Sequence, residues 1–109
     1  MDERRNAMGD LAMFITSRAQ PGKRDEIFEL YREILAPRAE ENERQEVVVL
    51  AADQQDPDTF YLFELYTDAE ALGANATSSW FADYMAKAGP LLAGEPVVAM
   101  ADRQWSTGV

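Results

Sequence analysis

Three short segments of this 109-residue sequence are apolar at nearly every position. Residues 47–52 read Val-Val-Val-Leu-Ala-Ala. Residues 60–66 hold a single charge, Glu64. Residues 97–101 read Val-Val-Ala-Met-Ala. Successive side chains of a strand point to opposite faces. In the segment 60–66, Phe60, Leu62 and Tyr66 therefore share one face, and Tyr61, Phe63 and Leu65 the other. A sheet with one wet face alternates apolar and polar residues. These strands do not, so their sheet needs cover on both sides.

The other segments supply helices for one of those sides. Residues 11–20 form a first strand, ended by the turn signal Pro21-Gly22. A helix is expected from about Lys23, because Ile27, Leu30, Tyr31, Ile34 and Leu35 recur at the helical period. Pro37 should end or kink it, since proline lacks an N–H and clashes with the preceding turn. Residues 38–46 read as a last turn and a loop. The cluster 53–58 is a turn between the second strand, 47–52, and the third, 60–66. Thr67 or Asp68 caps a helix through Ala71, Leu72 and Ala74, weakened at Gly73. Residues 78–87 continue as a helix with Phe81, Tyr84, Met85 and Ala88 on one face, stopped at Gly89-Pro90. Residues 97–105 form the last strand.

The order β-α-β-β-α-β is that of an α+β, ferredoxin-like domain, with four antiparallel strands and the helices on one face. One domain is expected over residues 10–105, with residues 1–9 and 106–109 as tails. Covering the second apolar face falls most simply to an identical copy across a two-fold axis, giving a homodimer. Loops folded over that face are the alternative.

Composition removes much chemistry. Without cysteine there are no disulfides, thiolate nucleophiles or zinc–sulfur sites. Without histidine the usual general base, the commonest transition-metal ligand and the axial ligand of most haem sites are missing. The net charge of −10 disfavours nucleic acid and anionic lipid as partners. Acidic residues outnumber basic ones 11 to 8 in residues 1–46 and 9 to 2 in residues 47–109. A ligand of the second half thus meets a negative field, which disfavours phosphorylated compounds. No apolar run nears the ~20 residues of a membrane span, and no signal-like apolar region follows the first residues, so a cytoplasmic location is expected. Residues 53–64 echo a calcium loop, but Pro57 and Asp58 stand at its fifth and sixth places, where the sixth needs glycine; no metal site is expected. The glycines form neither a dinucleotide fingerprint nor a phosphate loop.

Several residues carry candidate chemistry. Glu64, alone in an apolar strand, is a proton acceptor if burial raises its pKa, or half of an ion pair with Arg18, the preferred reading. Tyr66 and Tyr84 offer phenolic donors. Trp80 walls an aromatic pocket or fills the core. Asn75 orients a substrate oxygen or ends a helix.

Pro21-Gly22-Lys23 opens the first helix, and Asp56-Pro57 lies in the hairpin. Phe63-Glu64-Leu65-Tyr66 runs into Thr67-Asp68-Ala69-Glu70-Ala71-Leu72. Ser79-Trp80-Phe81 and Ala88-Gly89-Pro90-Leu91-Leu92 follow. In this order, over roughly residues 11–103, the chain resembles the antibiotic biosynthesis monooxygenase family of the dimeric α/β-barrel group. The resemblance implies a homodimer whose sheets enclose two apolar pockets, one per subunit. It also implies oxygenation of a small quinol- or phenol-like aromatic without metal, flavin or other cofactor. Asn75, Trp80 and Glu64 are then the catalytic candidates, and Tyr66, Phe81, Tyr84, Met85 and Arg18 the substrate-binding ones. Asn75 and Trp80 stand where members of the family often carry histidine, and Tyr66 where many carry tryptophan. Haem degradation, which needs an iron-ligating histidine, is not expected. The alternative is a non-catalytic homodimer of the same fold that binds a small apolar ligand.

Overall fold

A computed structural model describes residues 9–108. Its elements are β1 (Leu11–Arg18), α1 (Arg24–Leu30), a π-helical turn (Tyr31–Leu35), α2 (Ala36–Glu41), β2 (Gln45–Ala52) and β3 (Thr59–Tyr66). There follow α3 (Ala69–Ala76), α4 (Ser79–Ala88), a 3-10 turn (Gly89–Leu91) and β4 (Val97–Asp102). The sheet order is β2-β3-β1-β4, every neighbour antiparallel, with the helices on one side. This is the α+β ferredoxin-like fold.

Cross-strand register assigns the faces. Met13 lies opposite Glu64 and Met100, and Ile15 opposite Leu62 and Val98; these look toward the helices. Phe14 lies opposite Phe63 and Ala99, and Val49 opposite Phe63, on the open face. Two buried clusters hold the helices down. Ala19, Ile27, Phe28 and Phe60 pack at one end, and Tyr31, Leu35, Tyr84 and Ala88 at the other. On the open face Phe14, Val49 and Tyr61 remain 50%, 49% and 39% exposed, and β4 is exposed along its whole length.

Turns follow local chemistry. Gly22 has φ 78°, a left-handed conformation that glycine adopts without steric cost. Asp68 caps α3 by accepting the Ala71 N–H, and Ser78 caps α4 by accepting the Phe81 N–H. Gly73 stays inside α3. Arg24 donates to the carbonyls of Asp53, Asp56 and Thr59, which ties the β2–β3 turn to α1.

Four boundaries differ from expectation. β1 ends at Arg18 and β4 at Asp102, each leaving the sheet earlier than the apolar pattern suggested. Pro37 does not end the first helical stretch. The preceding turn widens instead, and the Ala36 N–H reaches the Tyr31 carbonyl, five residues back. Pro37 then falls in the first turn of α2, where its missing N–H costs no hydrogen bond. β2 begins at Gln45, two residues early, because a bulge between Gln45 and Val47 absorbs Glu46. Of the expected N-terminal tail, residues 1–8 lie outside the described residues. Gly9 is buried, and its N–H donates to Glu46 at 2.7 Å.

Candidate active site

Between the helix face of the sheet and the helices lies a cavity of about 260 Å³. Met13, Ile15, Leu62 and Val98 line it from the sheet. Tyr31 and Leu35 come from the π-helical turn, and Phe81, Tyr84 and Met85 from α4. The cavity belongs to a single chain. It forms because the apolar helix stripes meet the sheet without filling the space above Glu64.

One end of this cavity is polar. Glu64 sits on the helix face of β3, two residues before Tyr66 and so beside it. The bulge in β2 sets Gln45 opposite Tyr66, so its side chain reaches the same face. The Tyr66 hydroxyl donates to Glu64 Oε1 at 2.5 Å, and Gln45 Nε2 donates to the same oxygen at 2.9 Å. Gln45 Nε2 also donates to the Tyr66 hydroxyl at 3.0 Å, and Asn75 Nδ2 donates to it at 3.1 Å. Asn75 Oδ1 accepts the Trp80 indole N–H at 3.2 Å. Glu64 Oε2 has no hydrogen-bond partner among the described residues, although the carboxyl lines the cavity. The hydroxyls of Tyr31 and Tyr84, on cavity-lining residues, likewise have none among the described residues. Their rings meet edge to face, with centroids 5.9 Å apart.

The electrostatics follow from this packing. Burial pushes the Glu64 carboxyl above its ordinary range, while the hydrogen bonds from Tyr66 and Gln45 pull it back. Burial, then the nearby Glu64 and Tyr84, raise the Tyr31 phenol far above its usual value. Burial and then Glu64 raise Tyr66 far as well. Tyr84 is pushed up to about 12 by burial and then by Glu64. The phenols are thus neutral donors at any physiological pH, and Glu64 is a carboxyl whose proton affinity the fold raises.

Of the eight residues singled out in the sequence, six line this cavity: Glu64, Tyr66, Asn75, Phe81, Tyr84 and Met85. Two do not. Trp80 lies in an outer groove with Arg38, whose guanidinium stands 4.7 Å over its ring, and meets the network only through Asn75. Arg18 belongs to the open face, opposite Thr59, and pairs with Asp56 at 2.8 Å. The expected Arg18–Glu64 pair is corrected for a geometric reason. Glu64 lies opposite Met13, and residues 13 and 18 differ by an odd number, so they point to opposite faces. Two site residues were missed. Gln45 was hidden because a bulge breaks the strand pattern that would have claimed it. Tyr31 was read as part of an apolar stripe; its hydroxyl, the one polar atom in that stripe, was the available signal. Among the described residues no three of histidine, cysteine, aspartate and glutamate are grouped to hold a metal ion.

The sequence profile of the antibiotic biosynthesis monooxygenase family matches residues 11–87. No curated protein matches the chain. Among solved structures, a proposed antibiotic biosynthesis monooxygenase from Caulobacter crescentus is similar at 23% identity and a TM-score of 0.82, covering 90% of this chain and 92% of its own. PA3566 from Pseudomonas aeruginosa is 22% identical with a TM-score of 0.78, over 89% of this chain and 96% of its own. A conserved protein from Methanosarcina mazei is 14% identical with a TM-score of 0.80, over 91% and 97%. At such identities these structures speak for the fold.

Proposed function

Because the chain belongs to the antibiotic biosynthesis monooxygenase family, we propose that it oxygenates a small, neutral phenol or hydroquinone with dioxygen, using Glu64 as the proton acceptor. One observation carries this reading. A buried carboxyl with a raised pKa keeps one oxygen unpartnered at the polar end of an otherwise apolar cavity. A general base needs that combination of proton affinity and reach.

In the proposed step, Glu64 Oε2 takes the hydroxyl proton of the bound aromatic. The hydroxyls of Tyr31 and Tyr84 donate to the phenolate oxygen so formed. The electron-rich anion passes one electron to dioxygen, and the resulting radical and superoxide combine to form a carbon–oxygen bond. Loss of water from the peroxide leaves a quinone. One C–H becomes C=O, one oxygen atom enters the product and the other leaves as water. The four electrons that dioxygen takes up come from the substrate, so no metal, flavin or other cofactor enters the proposal.

The cavity constrains the substrate. A cavity of about 150 Å³ is enough to hold benzene, so about 260 Å³ suits one substituted ring or two fused rings. No lysine or arginine lines it, so carboxylated and phosphorylated aromatics should be rejected. We further propose a homodimer closed through the open sheet face.

Oxygen uptake with a panel of one- and two-ring phenols and hydroquinones, without added metal or flavin, tests the reading. Uptake above the no-protein control is expected, with loss of most of it in Glu64→Gln. Rates equal to the control across the panel would end the oxygenase proposal. If those same compounds raised the thermal midpoint without turnover, the chain would be a binding protein of the same fold.

A further inference from the structure

The hydrogen-bond network fixes where protons lie. Trp80 donates to Asn75 Oδ1, which turns Asn75 Nδ2 toward Tyr66. The Tyr66 oxygen accepts from Asn75 Nδ2 and from Gln45 Nε2, which fills both lone pairs of a hydroxyl. Its one proton then goes to Glu64 Oε1. Gln45 Nε2 stands 2.9 Å from that oxygen and 3.0 Å from the Tyr66 oxygen, which are themselves 2.5 Å apart, so the two lie in nearly one direction from the nitrogen and share one of its hydrogens. Glu64 Oε1 therefore receives the Tyr66 proton and a share of one Gln45 hydrogen, and an acid proton placed there as well would collide with them.

We infer that Gln45 is a positioning residue that commits the acid proton of Glu64 to Oε2, the oxygen turned to the cavity. Gln45 is the only residue of the network that touches both Glu64 and Tyr66 through one nitrogen. It holds the carboxyl plane and directs the Tyr66 hydroxyl at once. The groups facing Glu64 are Tyr66 from its own strand, Gln45 from β2, Tyr31 from the π-helical turn and Tyr84 from α4. None of them carries charge near neutrality, so the donors on Oε1 decide which oxygen the proton takes. The geometric claim holds for any ligand of this cavity; its consequence for turnover rests on the oxygenase reading. Under that reading, every proton Glu64 gains or loses passes through the substrate side.

The test is a pH titration of the Glu64 carboxyl by carbon NMR on ligand-free protein, the resonance identified by its absence in Glu64→Gln. Gln45→Met keeps the volume and removes the donor; Gln45→Asn keeps an amide but withdraws it by one methylene. Both should shift the Glu64 midpoint upward, because a donor to the charged form is lost. Asn75→Ala should shift it less, since Asn75 reaches Glu64 only through Tyr66. If Gln45→Met fails to fold, Gln45→Asn decides. A midpoint unmoved in the folded Gln45 variants would overturn the inference. The oxygenase reading fails separately: shifted midpoints in a protein without oxygen uptake remove that reading and leave this one. Where uptake does occur, the rising limb of the pH–rate profile of Gln45→Met should move to higher pH, which a general loss of structure would not do.

Discussion

At Glu64, burial and hydrogen bonding pull in opposite directions, and burial wins. A carboxyl raised in the fold contributes stability that is fully present below its unfolded value, about 4.3. That contribution is lost as the pH rises through the folded value. The surface carboxyls have the other sign. Asp53 is lowered chiefly by the Tyr61 hydroxyl, Asp56 by the Asp58 N–H and Asp68 by the Ala71 N–H. Their contributions are present above about 3.9 and disappear as the pH falls through their folded values. The two windows are separate. Glu64→Gln keeps the acceptor for Tyr66 and Gln45 and turns an amide toward the cavity, as the neutral acid turns its hydroxyl. Urea unfolding should therefore find the variant more stable than the wild type at pH 8, with the gap closing toward pH 4. The acid limb below pH 4 should be common to both. Parallel curves from pH 4 to pH 8 would mean that Glu64 is not the group responsible.

The junction between α3 and α4 carries the network's outer half, and one serine side chain ties the two helices together. Ser78 Oγ accepts the Phe81 N–H at 3.2 Å and donates to the Asn75 carbonyl at 2.7 Å. Ser78→Ala should cost about 1 kcal/mol, the usual worth of a helix cap, and lower the melting temperature by about 4 °C. It should also loosen Asn75 and so weaken the Trp80 N–H contact, visible as faster exchange of the indole proton. An unchanged melting temperature would show that water replaces the cap in full. The elements on which this junction depends were legible. Apolar stripes, the cap residues and Gly89-Pro90 placed both helices and the four strands in the right order. What stayed hidden required geometry that a linear pattern does not carry. The bulge at Glu46 moved Gln45 from a loop into the sheet. The widened turn before Pro37 let the helical stretch run on, where a regular helix would have broken. Glu64 was legible as the odd charge in an apolar strand, but its partner was not. Pairing depends on the register of β1 against β3, and a shift of one residue reverses every face.

The whole molecule has one apolar surface too many for a lone subunit. Helices and cavity account for one face of the sheet. On the other, Phe14, Val49 and Tyr61 stand about half exposed, and Trp105 beside them is 78% exposed. Contiguous exposed apolar surface beyond roughly 300–600 Å² marks an interaction site. A second copy is the simplest cover, because sheets apolar on one side can pack face to face with their own image about a two-fold axis. Sedimentation at micromolar concentration should give a dimer. Phe14, on a central strand, lies across the sheet from Phe63, with ring centroids 5.0 Å apart. Phe14→Lys would place a charge near the middle of that face, and the two-fold axis would bury it twice. Loss of one partner or an unpaired buried charge typically costs 3–5 kcal/mol, so even one of the two charges would lower association by about two to four orders of magnitude. Glu29→Lys, on the exposed side of α1, changes the charge in the same sense and should leave the dimer intact. A wild-type protein that sediments as a monomer at these concentrations would remove the need for a partner. It would leave the cavity in place, because that space is lined by the elements of one chain.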